Sequence, residues 1–170
     1  RNADGSRPVY AGMHGLTVDG TWKISDVGEC CDVLTTHPYP LFTPHCDKDI
    51  PGDGRSIYHA VAESRFYSDL SGKPCIIEEL GSLGPNVASD EQTAEYLRKV
   101  LELAAEEGIV EVLWWCAFDQ PFDYPPYESI ALERELGLFT ADSSPKPAAF
   151  VIKDYTEPEV RARKIDAICL

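Results

Sequence analysis

The feature that most constrains the fold is an alternation. Four short apolar runs, each able to form a buried strand, are separated by stretches with helical patterning. The runs are residues 7–14 (Arg7-Pro8-Val9-Tyr10-Ala11-Gly12-Met13-His14), 31–37 (Cys31-Asp32-Val33-Leu34-Thr35-Thr36-His37), 75–79 (Cys75-Ile76-Ile77-Glu78-Glu79) and 109–116 (Ile109-Val110-Glu111-Val112-Leu113-Trp114-Trp115-Cys116). Strands alternating with helices imply parallel pairing through right-handed crossovers.

The helical signals differ in strength. Ser89 and Gln92 have capping-box spacing, and Gly108 supplies a stop. Between them Leu97, Val100, Leu101 and Ala104 form an i, i+3, i+4, i+7 stripe, which predicts an amphipathic helix. Residues 56–70 place Tyr58, Val61, Ala62 and Phe66 on one expected face, and Gly72 ends that helix. A third helix is expected after Pro147, with Ala148, Ala149, Val151 and Ile152 as its apolar part. The crossover from Asp19 to Glu29 is weakly helical.

The connections are unequal. Those after the strands are long (38–55, 81–88, 117–136), and those after the helices are short (72–74 and Gly108). In a (β/α) barrel the loops after the strands build the active face. The expected fold class is therefore α/β, and the chemistry is sought at the carboxyl ends of the strands.

Composition narrows the partners. The 170 residues carry 44% hydrophobic and 10% aromatic residues, enough for a sizeable core, and a formal net charge of -14. No Lys/Arg cluster offers a phosphate footprint, so a nucleic-acid partner is not expected, and no apolar run has the length of a membrane span. The six cysteines form no C-x-x-C pair, and Cys46 near His37 and His45 lacks a second ligand set, so neither metal nor other cofactor is expected. Cys75 and Cys116 read as small buried thiols, and reduced cysteines lean toward a cytoplasmic setting. Residue 1 is Arg and the only methionine is Met13, so the chain is expected to be a piece of something longer.

Each run ends in a functional-looking group: His14, His37, Glu79, and Trp114 or Trp115. Singly, each has an ordinary structural explanation. Jointly on one rim, they make a cleft with a carboxylate, imidazole donors and an aromatic floor. A sugar ring needs that combination, because its C–H face is apolar and its hydroxyls require partners.

The order of these motifs resembles the second half of a retaining glycoside hydrolase of the cellulase-like superfamily, clan A, whose catalytic domain is a (β/α)8 barrel. KPCIIEELG (73–81) resembles the segment in which that clan's seventh strand ends in the nucleophilic Glu, which implies Glu79. TTHPYP (35–40) resembles a His-x-Tyr element of the sixth strand, implying His37 and Tyr39 as groups that support substrate and nucleophile. LWWCAFDQ (113–120) resembles the eighth strand, with Trp115, or alternatively Trp114, flooring the subsite. His14 and Asp119 are further candidates for substrate contact. GLFTADSSPKPAAFVIKDY (137–155) resembles the end of such a domain.

The implied architecture is a parallel (β/α) half-barrel corresponding to strands five to eight, over residues 1–155, followed by a charged tail at 156–170. The implied reaction is double displacement on a β-linked glycoside or polysaccharide. Alternation along a strand sends Glu78 to the face opposite Glu79, outward or into a structural pair. The family's acid/base Glu follows an Asn, and this chain has only Asn2-Ala3 and Asn86-Val87, so the proton donor is expected outside it. A full barrel takes about 250 residues. The remaining strands, as the other half of the same barrel or another chain, are the expected partner along the sheet edges, besides carbohydrate. The alternatives are a non-catalytic carbohydrate-binding or structural half-barrel, and an unrelated small α/β enzyme.

Overall fold

The computed structural model describes residues 5–14, 23–39, 54–81, 84, 87–121 and 134–155, without the side chains of 13 and 14. Most of the long loops after the strands, and with them His45, Cys46, Phe42, Phe122, Tyr124 and Tyr127, lie outside those residues, as does the expected tail at 156–170.

Four strands form one sheet in the order β1 (Tyr10–His14), β2 (Val33–His37), β3 (Cys75–Gly81), β4 (Val112–Trp115), and every neighbouring pair is parallel. The crossovers carry α1 (Ile24–Cys30), α2 (Gly54–Ser71) and α3 (Asp90–Glu106), and α4 (Pro147–Asp154) follows β4. The expected half-barrel arrangement is thus present. Among the described residues no helix is long and apolar enough to cross a membrane.

The core sits between the sheet and its helices. Ile77 and Leu80 of β3 pack with Ile57, Ala60 and Val61 of α2 and with Tyr96, Leu97, Val100 and Ala104 of α3. A second cluster joins Cys31, Leu34, Tyr67 and Cys75 beneath α1. The α3 signals act as the sequence indicates. Ser89 accepts from the Gln92 amide while the Gln92 side chain accepts from the Ser89 amide. Gly108 takes the left-handed conformation (φ 74°) that ends the helix, and Gly72 (φ 66°) does the same after α2.

The expected face of α2 is not the buried one. Tyr58, Ala62 and Phe66 point to solvent, while Ser56, Ile57, Ala60, Val61, Ser64 and Tyr67 are buried. Serines at two core positions conceal the stripe. Ser64 fits there because its hydroxyl shares a hydrogen bond with Thr36 of β2 at 2.5 Å. On α4 only Ala148 is buried, and Ile152 is exposed. Cys75 is buried as expected, and burial pushes its thiol up to about 12, which makes it inert. Cys116 is only half-buried.

Candidate active site

The two faces of the sheet are set by register. Leu34 and Thr36 of β2, with Cys75 and Ile77 of β3, face the helices. By alternation Thr35, His37 and Ile76 face the other way, toward the inside of the curved sheet, and Gly12 is in register with Thr35.

Regular alternation from Ile77 would put Glu78 inside and Glu79 among the helices. It does not continue. Ile77 pairs with Val112 and Leu80 with Trp114, so three steps along β3 match two along β4. This is a β-bulge, with one extra residue in β3. Ile77 and Leu80 therefore both enter the helix-side core, and the two residues between them both turn inward. The expectation that Glu78 alternates away from Glu79 is corrected here. Both carboxylates stand on the inner face at the carboxyl end of β3, where a (β/α) barrel exposes its chemistry.

His37 lies between them. Its Nε2 is 3.0 Å from Oε2 of Glu78, and its Nδ1 is 3.7 Å from Oε2 of Glu79. The first is a hydrogen bond and the second is beyond hydrogen-bond reach. Thr35 donates its hydroxyl proton to the same Oε2 of Glu78 at 2.6 Å. Tyr39 donates to Oε2 of Glu79 at 3.1 Å. The Tyr39 ring lies where a Cβ on Gly81 would be, 2.7 Å from its Cε1, so only glycine lets the phenol approach β3 so closely. Glu78 is held below the usual carboxylate range, first by the Thr35 hydroxyl and then, against the opposing effect of burial, by the His37 ring.

The two tryptophans separate. Trp114 pairs with Leu80, packs against the helix-side core and donates its indole N–H to the Leu136 carbonyl at 3.1 Å. Trp115 pairs with Gly81 and is 41% exposed, so it is the one on the inner rim. His14 ends β1 in register with His37, and its side chain lies outside the described residues.

Asp119 follows β4 and is held in an ion pair. Its Oδ1 accepts from Lys146 Nζ at 2.7 Å and from the Gly137 amide at 2.8 Å, with both charged side chains nearly buried. This ion pair pins the segment after β4 to the strand-like stretch before α4. A carboxylate oxygen that accepts from two such donors is a structural tie between the two segments.

Glu63 on α2 went unnoticed in the sequence. Its side chain is 9% exposed, its Oε2 is 3.6 Å from His59 Nε2, and its Oε1 is buried with no hydrogen-bond partner. Burial pushes its pKa up, against a hydrogen bond from Tyr67 and the influence of His37. Spacing alone could have flagged it, since His59 and Glu63 stand one helical turn apart. Among the described residues no group of three or more His, Cys, Asp or Glu is placed to hold a metal ion.

No protein-family model matches the sequence, and no curated protein matches it. Solved structures do match. A GH5_18 structure from Streptomyces cattleya in complex with GlcNAc is 19% identical, with a TM-score of 0.75 over 91% of this chain and 40% of that one. A GH5_18 from Bifidobacterium longum subsp. infantis is 26% identical, with a TM-score of 0.60 over 75% of this chain and 31% of that one. An exo-beta-1,4-mannosidase from Opitutaceae bacterium strain TAV5 is 26% identical, with a TM-score of 0.54 over 72% and 22%. These neighbours are TIM-barrel glycoside hydrolases, and this chain has the fold of part of such a barrel. It spans 40% or less of the length of each of these three structures.

Proposed function

We propose that this chain is the C-terminal half of the catalytic barrel of a retaining glycoside hydrolase that acts on β-linked glycosides or polysaccharides, with Glu79 as the nucleophile. One observation carries the reading. The bulge in β3 turns Glu79 onto the inner face at the strand's carboxyl end, where Tyr39 donates to it, and Trp115 of the neighbouring strand is in register with Gly81, two residues further on.

The chemistry follows from that placement. The ionised Glu79 attacks the anomeric carbon and forms an acyl-linked glycosyl intermediate as the glycosidic C–O bond breaks. The leaving oxygen takes its proton from a second carboxylic acid, contributed by strands outside this sequence and held about 5–5.5 Å from Glu79. That same group, now ionised, removes a proton from the water that attacks the intermediate and releases the sugar. Tyr39 keeps the Glu79 oxygens aimed, and the face of Trp115 supports the apolar side of the ring. By this reading the isolated chain is inactive, and the rest of the barrel covers the sheet edges at β1 and β4.

The experiment uses the complete barrel and an activated β-aryl glycoside. Glu79→Gly should abolish turnover, and added azide should restore aglycone release by forming a glycosyl azide of inverted, α configuration. Retained activity without azide removes Glu79 from the nucleophile role. Sugar binding with no hydrolysis by the complete barrel would instead establish a non-catalytic carbohydrate-binding protein.

A further inference from the structure

The inner face carries one more carboxylate than double displacement asks of this strand, and it is the better held of the two. Glu78 occupies a seat built from three strands. Thr35 of β2 donates to its Oε2 at 2.6 Å, and His37 of the same strand meets that oxygen at 3.0 Å through Nε2. Gly12 of β1 leaves the space, since a Cβ there would lie 3.1 Å from Oε2. The bulge in β3 then brings Glu79 to the other side of the same imidazole.

A carboxylate can only accept, so the hydrogen bond at Nε2 places the imidazole proton on Nε2. In the neutral ring Nδ1 then carries the lone pair, on the side where Oε2 of Glu79 is 3.7 Å away. Two carboxylates of β3 flank the imidazole, Glu63 of α2 adds a further negative charge near it, and the nearest carboxylate, Glu78, holds its proton. We propose that Glu78 is a positioning residue, which fixes the Nε2–H tautomer of His37 and thereby prevents that ring from donating to Glu79. The consequence rests on the glycosidase reading. A hydrogen bond donated to the nucleophile stabilises its charge before attack and weakens the electron pair that must form the new bond. With His37 held by Glu78, Glu79 keeps the phenol of Tyr39 as a donor and is spared a second one from the imidazole.

The tautomer can be read directly. Long-range proton–nitrogen correlation spectra of the 15N-labelled full chain, taken where imidazoles are neutral, report which ring nitrogen carries the proton. The unaltered chain should show Nε2–H at His37. Isolated imidazoles lean the same way, so the decisive sample is Glu78→Ala. There the ring should turn mainly to Nδ1–H, drawn by Glu79, and Glu78→Gln should restore Nε2–H because its amide oxygen still accepts. An unchanged tautomer in Glu78→Ala, or Nδ1–H in the unaltered chain, overturns the proposal. Should Glu78→Ala fail to fold, the similarly sized Glu78→Met, which offers no oxygen acceptor to Nε2, must show the same turn toward Nδ1–H, and no movement there also overturns it.

A kinetic measurement on the complete barrel separates this proposal from the one beneath it. Glu78→Ala should lower kcat by roughly ten- to a hundredfold with KM little changed, as misplacement of a catalytic group does. If Glu79→Gln abolishes turnover while Glu78→Ala alters neither rate nor tautomer, the Glu78 proposal fails and the glycosidase reading stands. If no glycoside is cleaved but the tautomer inverts, the glycosidase reading fails and the seat stands.

Discussion

The two faces of the β2–β3 pair are built from alternate residues of the same ten-odd positions, yet they follow opposite rules. On the helix side Leu34, Ile77 and Leu80 are buried in the apolar core, and the Thr36 hydroxyl is paired with Ser64 beside the buried Cys75. On the inner side Thr35, His37, Glu78 and Glu79 form a chain of hydrogen bonds and close approaches around partly exposed carboxylates. One face lowers the free energy of the fold by removing carbon from water. The other holds charge at the carboxyl end of the sheet, partly open to solvent. A strand of seven residues serves both because the bulge gives each face the residues it needs.

Substitutions across that divide should separate activity from stability. The largest effect belongs to Glu79→Gln in the complete barrel, which should lower turnover by ~10³-fold or more while leaving the unfolding midpoint nearly unchanged. Matching losses of activity and stability would show that the inner face is structural. Next comes Ile77→Ala on the opposite face. Its side chain is fully buried, so unfolding free energy should fall by about 2–5 kcal/mol in denaturant titrations. A loss under about 1 kcal/mol would mean the site collapses around the missing atoms.

The adjacent threonines give a finer contrast. Thr36→Val removes the hydrogen bond to Ser64 in the core, leaving that hydroxyl only the weak Cys75 thiol, and should cost about 1–3 kcal/mol. Thr35→Val should cost less, because Glu78 retains His37 and partial access to water. Equal costs would erase the distinction between the faces.

The smallest effect concerns Glu63, the helix-side group that breaks its own face's rule. Its folded pKa is raised by burial, so the stability linked to its protonated form is complete below its unfolded pKa. That stability is lost as pH rises through the folded pKa. Glu63→Gln should therefore stabilise the protein by about 1 kcal/mol at neutral pH and by progressively less in acid. A pH-independent difference between the two proteins would contradict the assignment. Glu78, whose pKa is lowered, has the opposite sign and favours folding above its unfolded pKa.

Much of this was legible in the sequence, for identifiable reasons. The four strands, the capped helix α3 and the glycine stops follow from local patterning, which tertiary structure left intact. The buried face of α2 was not legible, because Ser56 and Ser64 read as polar and only a partner on β2 makes Ser64 a core residue. Period-two alternation separates Glu78 from Glu79, and nothing in KPCIIEELG announces the extra residue that unites them. Asp119 follows the tryptophans closely enough to suggest the cleft, but its partner Lys146 lies 27 residues away, a distance no local pattern spans. Trp114 and Trp115 could be told apart only once Leu80 and Gly81 were known to be their partners.

The central claim is that Glu79, and not its neighbour on the same face, forms the bond to sugar. The direct measurement treats the complete barrel with an activated 2-deoxy-2-fluoro glycoside, which slows release of a covalent intermediate. Tandem mass spectrometry then locates the added sugar within the peptide containing Lys73–Ser82. The account predicts the label on Glu79 alone. A label on Glu78, on another residue, or none despite turnover of the parent glycoside would contradict it.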